Sequence, residues 1–189
     1  MRITDLLTPE RILLHASAFD KDGIIDTLVD LQDKSGVLSD RALYKKAILA
    51  REAQSSTAIE AGLAVPHAKS ESVKKPSLAA MTLQQGVDYG AMDSQPSDLF
   101  FMIAAPMDGN VHLEILSRLM VLLMDPDFAA ELRTAKTPQA FMAAIDKAET
   151  AKYGPEEKTE TAAYADTPSP KKDGFRVLAV TACPTGIAH

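Results

Sequence analysis

Tryptophan is absent from this chain of 189 residues, and aromatic side chains make up only 5% of it. So few rings leave no platform on which the bases of a single-stranded nucleic acid could stack. Positive charge is in deficit too. Lys and Arg number 20 against 26 Asp and Glu, a formal net charge of −6, which is the wrong sign for an electrostatic footprint on nucleic acid. No clustered basic stripe marks a surface for anionic lipid. The single cysteine, Cys183, rules out an intramolecular disulfide and fits a reducing, cytoplasmic compartment. The first residues, Met1, Arg2, Ile3, Thr4 and Asp5, do not open the apolar core of a signal peptide. No apolar run approaches the ~20 residues that cross a bilayer as a helix. Nucleic-acid binding and direct membrane insertion are therefore excluded as function classes.

What is present is a 46% hydrophobic content, typical of a globular protein, in a length that suits one domain or one and a fraction. Ile12, Leu13 and Leu14 mark a first strand over 11–16. Ile24, Ile25, Leu28, Val29 and Leu31 form a helical stripe, with Asp20 and Asp22 near its start and Gly36 past its end. Ser39 or Asp40 caps a second helix running to about Glu52. Leu63, Ala64 and Val65 read as a short buried strand that stops at Pro66, which has no N–H for the ladder. Strands follow over 77–83 and 98–105, the second apolar throughout, as a strand covered on both faces would be. The period then turns helical. Asn110 is a plausible cap for a helix so apolar from Val111 to Leu123 that it should be central and buried, and Asp125-Pro126 ends it. A short helix over 127–135 and another opened by Thr137-Pro138 complete the set. After Glu149 the composition shifts to Pro, Gly, Thr, Ala and mixed charge, which reads as a linker to residue 174. Residues 175–181 then form a strand that leads into Cys183, like the start of a second domain cut off.

Three features carry chemistry. His67 sits at a strand end on stiff backbone, and a neutral imidazole offers a nucleophilic nitrogen. His112 lies in the first turn of the buried helix, where free N–H groups attract anions. Arg51 closes the second helix, and Ser55, Ser56 and Thr57 follow it. Two imidazoles, a guanidinium, hydroxyls and a helix N-terminus suit a phosphoryl group better than a metal or an acyl intermediate. Each piece alone has a plainer reading: a hydrogen-bonded structural histidine, a helix-end charge, ordinary turn residues. Zinc is disfavoured, because no Cys, Asp or Glu stands at ligand spacing around the two histidines. A serine hydrolase is disfavoured, because no Gly-x-Ser-x-Gly elbow is present. Cys183, directly after a strand and before Pro184-Thr185-Gly186, is either an activated thiolate in an anion-binding loop or an inert small hydrophobe.

Arg51-Glu52, Ser56-Thr57 and Gly62-Leu63-Ala64-Val65-Pro66-His67 resemble the active-site signature of the fructose/mannitol class of enzyme IIA in the bacterial phosphoenolpyruvate-dependent sugar phosphotransferase system. The stretches from Tyr89 to Pro106 and from His112 to Leu119 resemble the same family, and Val180 to His189 looks like the phosphocysteine loop of a fructose-type enzyme IIB. The resemblance implies an α+β fold of three layers (α/β/α), a mixed sheet flanked by helices on both faces. It implies an enzyme IIA phosphotransfer domain over 1–149, a flexible linker over 150–174, and the first strand and phosphocysteine loop of a IIB domain over 175–189.

His67 matches the histidine that accepts phosphate from phospho-HPr, or from an HPr-like domain, and passes it to a IIB cysteine, with the membrane enzyme IIC downstream. His112 matches the second histidine, which stabilises the phosphoryl group. Arg51 matches an arginine beside the site, and Thr57 lies in the hydroxyl-bearing loop. No cofactor or metal is implied, since no nucleotide is handled. Cys183 matches the IIB phosphoacceptor, expected to be inactive here with the tail beyond about 150 mobile. The alternative is a regulatory module of the same fold that signals through its phosphorylation state. The family often has glycine at Ala58 and glycine-asparagine at Glu60-Ala61, so an alanine there is strained wherever φ is positive. Docking is expected on an apolar rim of Met81, Met107 and Phe101.

Overall fold

The computed structural model describes residues 2–17, 20–108 and 111–154. All of these fall within one compact unit, residues 1–156. The Asn110 cap, most of the expected linker, the 175–181 strand and Cys183 lie outside the described residues.

Five strands build a mixed sheet: β1 (Leu7–Ala16), β2 (Leu63–Ala64), β3 (His67–Lys69), β4 (Ser77–Val87) and β5 (Ser97–Ala105). Strand order is β1-β4-β5-β2, with β3 also on β5. The β1·β4, β2·β5 and β3·β5 pairs are parallel, and β4·β5 is antiparallel. Helices α1 (Lys21–Lys34) and α2 (Arg41–Gln54) supply one outer layer. The other comes from α3 (Val111–Leu123), α4 (Pro126–Thr134) and α5 (Pro138–Tyr153).

Period-two alternation along β5 splits the core in two. Leu99, Phe101 and Ile103 pack with α3, α4 and α5, and Phe100, Met102 and Ala104 with α1 and α2. This is the three-layer α+β fold expected from the sequence, and β5 is covered on both faces.

Three local expectations change. The first strand begins at Leu7 rather than at residue 11, running through Pro9. An edge strand tolerates the missing N–H. The ladder does not stop at Pro66: it skips Val65 and Pro66 and resumes at His67, with His67 opposite Ile103. Pro66 cannot donate, but its carbonyl accepts from the Ile103 N–H at 2.9 Å, so the strand bends without leaving β5. Helix α3 is not central. Its face of Ile115, Leu119, Leu122 and Leu123 is buried, while Leu113 is 54% exposed, because the sheet occupies the middle layer. Asp125 both follows α3 and caps α4, accepting from the N–H groups of Asp127 and Phe128.

Caps match the residues present. Asp20 caps α1 through the Gly23 N–H, Asp40 caps α2 through Leu43 N–H, and Thr137 caps α5 with Pro138 in the first turn. Among the described residues, no helix is long and apolar enough to cross a membrane.

Candidate active site

The bend at Pro66 decides where His67 points. Its Nδ1 lies 2.8 Å from the Val65 carbonyl oxygen. A carbonyl only accepts, so Nδ1 carries the proton. The other ring nitrogen, Nε2, receives the Arg51 Nε–H at 3.3 Å. Two independent contacts therefore agree on one tautomer, with the Nε2 lone pair facing a guanidinium. Arg51 is in the last turn of α2, where a cation suits the helix dipole. Its Nη1 donates to the Ser55 carbonyl oxygen at 3.0 Å, which fixes the fork.

An open cleft of about 440 Å³ lies over these groups, lined by Arg51 and Gln54 from α2, His67 and Lys69 from β3, and His112 from α3. Ala47 and Ala50 on α2 leave the room. Lys69 is two residues beyond His67 on the same strand, so both side chains take the same face of the sheet. Burial, then the charge of Lys69, then His67 itself hold the His112 pKa below the ordinary histidine value. His112 Nδ1 is buried without a hydrogen-bond partner among the described residues, which leaves Nε2 as the nitrogen available to the cleft. The arrangement is a lone-pair nucleophile ringed by a guanidinium, an ammonium and a neutral imidazole. That is a setting for an oxyanion carried on a transferable group.

The loop from α2 to β2 is built differently from the expectation that its hydroxyls face the cleft. Thr57 is buried, and its hydroxyl donates to Glu52 Oε1. Its N–H donates to Glu52 Oε2 at 3.2 Å. Ser56 donates to the Tyr89 carbonyl oxygen at 2.8 Å. The structure thus brings Arg51, His67 and His112 together and turns Thr57 inward beneath them. In the same loop, Ala58 and Glu60 keep ordinary backbone, but Ala61 has φ 60° and Gly62 φ 74°. The strain expected of an alanine there falls on Ala61 alone. A Cβ at Gly62 would meet Asp98 Oδ1 at 3.0 Å and Arg133 Nη2 at 3.1 Å.

Of the expected docking rim, Met81 and Phe101 are fully buried, because each points into a core layer from β4 or β5; Met107 is 53% exposed. A second groove shares Ala47, Ala50 and Lys69 with the cleft and adds Leu43 and Lys46. Lys69, Gln54 and the Glu52 partners Lys21 and Tyr89 are not singled out by the sequence. Spacing two from His67 on a strand was the signal for Lys69; the others have none short of the fold.

The family model described as "Phosphoenolpyruvate-dependent sugar phosphotransferase system, EIIA 2" matches residues 5–148. The chain belongs to this EIIA family. Among curated relatives, the fructose-specific EIIABC component of Bacillus subtilis is 46% identical over 190 residues, covering 100% of this chain and 29% of the relative. This chain thus spans under a third of that relative's length. The fructose-specific EIIA component of Haloferax volcanii is 38% identical over 143 residues, 74% of this chain and 93% of that one. Among solved structures, the nitrogen regulatory protein IIA-Ntr of Neisseria meningitidis superposes with a TM-score of 0.71 at 26% identity, covering 76% of this chain and 98% of that one. As an EIIA domain, the chain belongs to a phosphotransferase system, and the cleft around His67 is a place among its described residues where an imidazole lone pair faces a guanidinium.

Proposed function

We propose that this EIIA domain carries phosphate on His67 Nε2 between a phosphohistidine donor, HPr or an HPr-like domain, and the cysteine of an enzyme IIB, within a fructose uptake system. The observation that carries the reading is the single tautomer of His67, its Nδ1–H on the Val65 carbonyl oxygen and its Nε2 toward Arg51. In the first step the Nε2 lone pair attacks phosphorus in line. The Nε2–P bond forms, and the donor's N–P bond breaks with its electron pair staying on the donor imidazole. Positive charge that develops on the His67 ring rests on the Nδ1–H held by Val65. Arg51 and Lys69 neutralise the oxygens of the phosphoryl group and the neutral His112 donates a hydrogen bond to one of them; positioning and charge account for most of such a barrier. In the second step the thiolate of IIB attacks, the P–S bond forms, and the pair returns to Nε2. Thr57 serves by holding its loop.

Fructose as the sugar is supported by the names of the Bacillus subtilis and Haloferax volcanii relatives. The first of these aligns over the whole chain, Cys183 included, which supports reading the residues around Cys183 as the start of a IIB domain.

Labelled phosphoenolpyruvate with enzyme I and HPr tests the proposal. Wild type should take up acid-labile, base-stable label, His67→Ala none, and His112→Ala should take up label but pass it slowly to a separate IIB. No label on wild type would sink the carrier role. The fold match to IIA-Ntr favours a second reading, a regulatory EIIA. Label that is taken up but reaches no IIB would select it.

A further inference from the structure

A carboxylate in the last turn of a helix opposes the helix dipole, and burying it adds a desolvation cost. Glu52 does both: it lies in the last turn of α2 with its side chain 4% exposed. Replacement of a whole buried ion pair by apolar residues is often neutral or stabilising, so the Glu52–Lys21 pair is not explained by stability alone. Its contacts give one. Oε1 accepts from the Thr57 hydroxyl and, at 3.3 Å, from the Tyr89 hydroxyl. Oε2 accepts from the Thr57 N–H at 3.2 Å and pairs with Lys21 Nζ at 2.7 Å. Burial and then the Glu52 charge push the Tyr89 phenol far above its ordinary range, so it stays a donor. Lys21 is held over the Tyr89 ring at 4.4 Å, so the cation on Glu52 is itself fixed.

The hydrogen bonds continue from Thr57 toward the nucleophile. The Thr57 carbonyl oxygen accepts from the Val65 N–H at 3.0 Å. The Val65 carbonyl oxygen accepts from His67 Nδ1–H at 2.8 Å. The links from Glu52 to Val65 are buried or main chain, and the last, partly buried, is the one that selects the His67 tautomer.

We infer that Glu52 is a positioning residue for His67: through Thr57 and Val65 it fixes the Nδ1–H tautomer and so presents Nε2 to the phosphoryl group. The inference rests on the carrier reading above for its catalytic consequence, but not for its structural one. Glu52 touches no reacting atom. It removes the freedom of the 55–58 loop to shift, and with it the freedom of the Val65 carbonyl to leave the imidazole. A ring that loses that acceptor can place its proton on Nε2, where the lone pair is needed.

The test uses the full 189-residue chain labelled with ¹⁵N-histidine, at a pH above the ordinary histidine titration. Long-range ¹H–¹⁵N spectra report which ring nitrogen of His67 is protonated. Phosphorylation rates from phospho-HPr are measured on the same samples. Wild type should show the Nδ1–H tautomer alone. Glu52→Gln and Thr57→Val should each admit the Nε2–H tautomer and lower kcat about tenfold with the HPr KM unchanged. Thr57→Ser, which keeps the hydroxyl, should restore both. The double variant should be little worse than either single one, as for residues acting through one chain of contacts. If Glu52→Gln does not fold, the Thr57→Val and Thr57→Ser pair decides. A lower melting temperature with the tautomer and kcat intact would overturn the inference and leave the carrier function standing. Absence of label on wild type would overturn the carrier function, while the spectra would still decide the relay.

Discussion

His112 shows how much of a residue's chemistry comes from its neighbours. From the sequence it was a helix-start histidine; in the fold it shares a cleft with Lys69 and His67. Burial and the Lys69 charge both disfavour its imidazolium, so its pKa falls below the ordinary 6.5. The sign follows directly. As pH falls through the ordinary value, the unfolded chain takes up a proton that folded His112 still refuses. The stability it contributes is whole above about pH 6.5 and is lost as pH drops through the lower folded value. The melting temperature should therefore fall with acidification in that window, and less steeply in His112→Gln. Equal slopes in the two proteins, measured by calorimetry across the window, would show that the histidine is not held neutral.

At the level of elements, α5 is tied to the start of the chain by Arg2, which reaches Asp146 and Thr150, and by a buried carboxylate. Glu149 is 1% exposed and accepts from the Ile3 N–H with both oxygens, at 2.9 and 3.0 Å. Arg118 from α3 approaches it at 3.8 Å and lies over the Tyr153 ring at 4.7 Å. The composition of 150–153 reads as linker, yet α5 runs to Tyr153, because what holds its last turn is tertiary. Small and charged residues look alike in a linker and in a helix end whose partners lie on other elements. Glu149→Gln keeps the shape but loses the charge that accepts from the Ile3 N–H and faces Arg118. A loss of about 2–3 kcal/mol is expected, the scale of hydrogen bonds to a charged group. Chemical denaturation would read it as a lower midpoint at unchanged m. No change would mean that Ile3 and Arg118 find other partners.

The whole molecule was legible in the sequence as far as periodicity and caps reach. The apolar run over 98–105, the stripe of α1, and the Asp and Thr caps marked the elements, and the family resemblance supplied the layers. The Pro66-His67 turn and Arg51 placed the centre of the cleft. What pattern could not give is which groups meet across elements: Glu52 with Lys21 and Tyr89, or Ala61 at φ 60° because the chain must reverse before β2.

That same crossing of layers sets how the fold comes apart. Phe100 meets Tyr89 edge-on at 5.4 Å, and its neighbour Phe101 meets Phe141 at 5.8 Å on the opposite side of the sheet. Since consecutive residues of β5 anchor the two cores, neither helical layer can melt without disturbing the strand that the other packs on. Phe141→Ala, made in the layer of α3, α4 and α5, should cost about 3–5 kcal/mol. That is about 6–20 °C in melting temperature for a domain of this size. The loss should appear equally in the far-ultraviolet signal of the helices and in the near-ultraviolet signal of Tyr44 and Tyr89, which lie in the other core. Coincident transitions would mark one cooperative unit. A tyrosine transition left in place while helical signal is lost at lower temperature would mean that the layers unfold separately, and that the His67 cleft, which draws residues from α2 and α3 on the two sides of the sheet, could come apart before the sheet does.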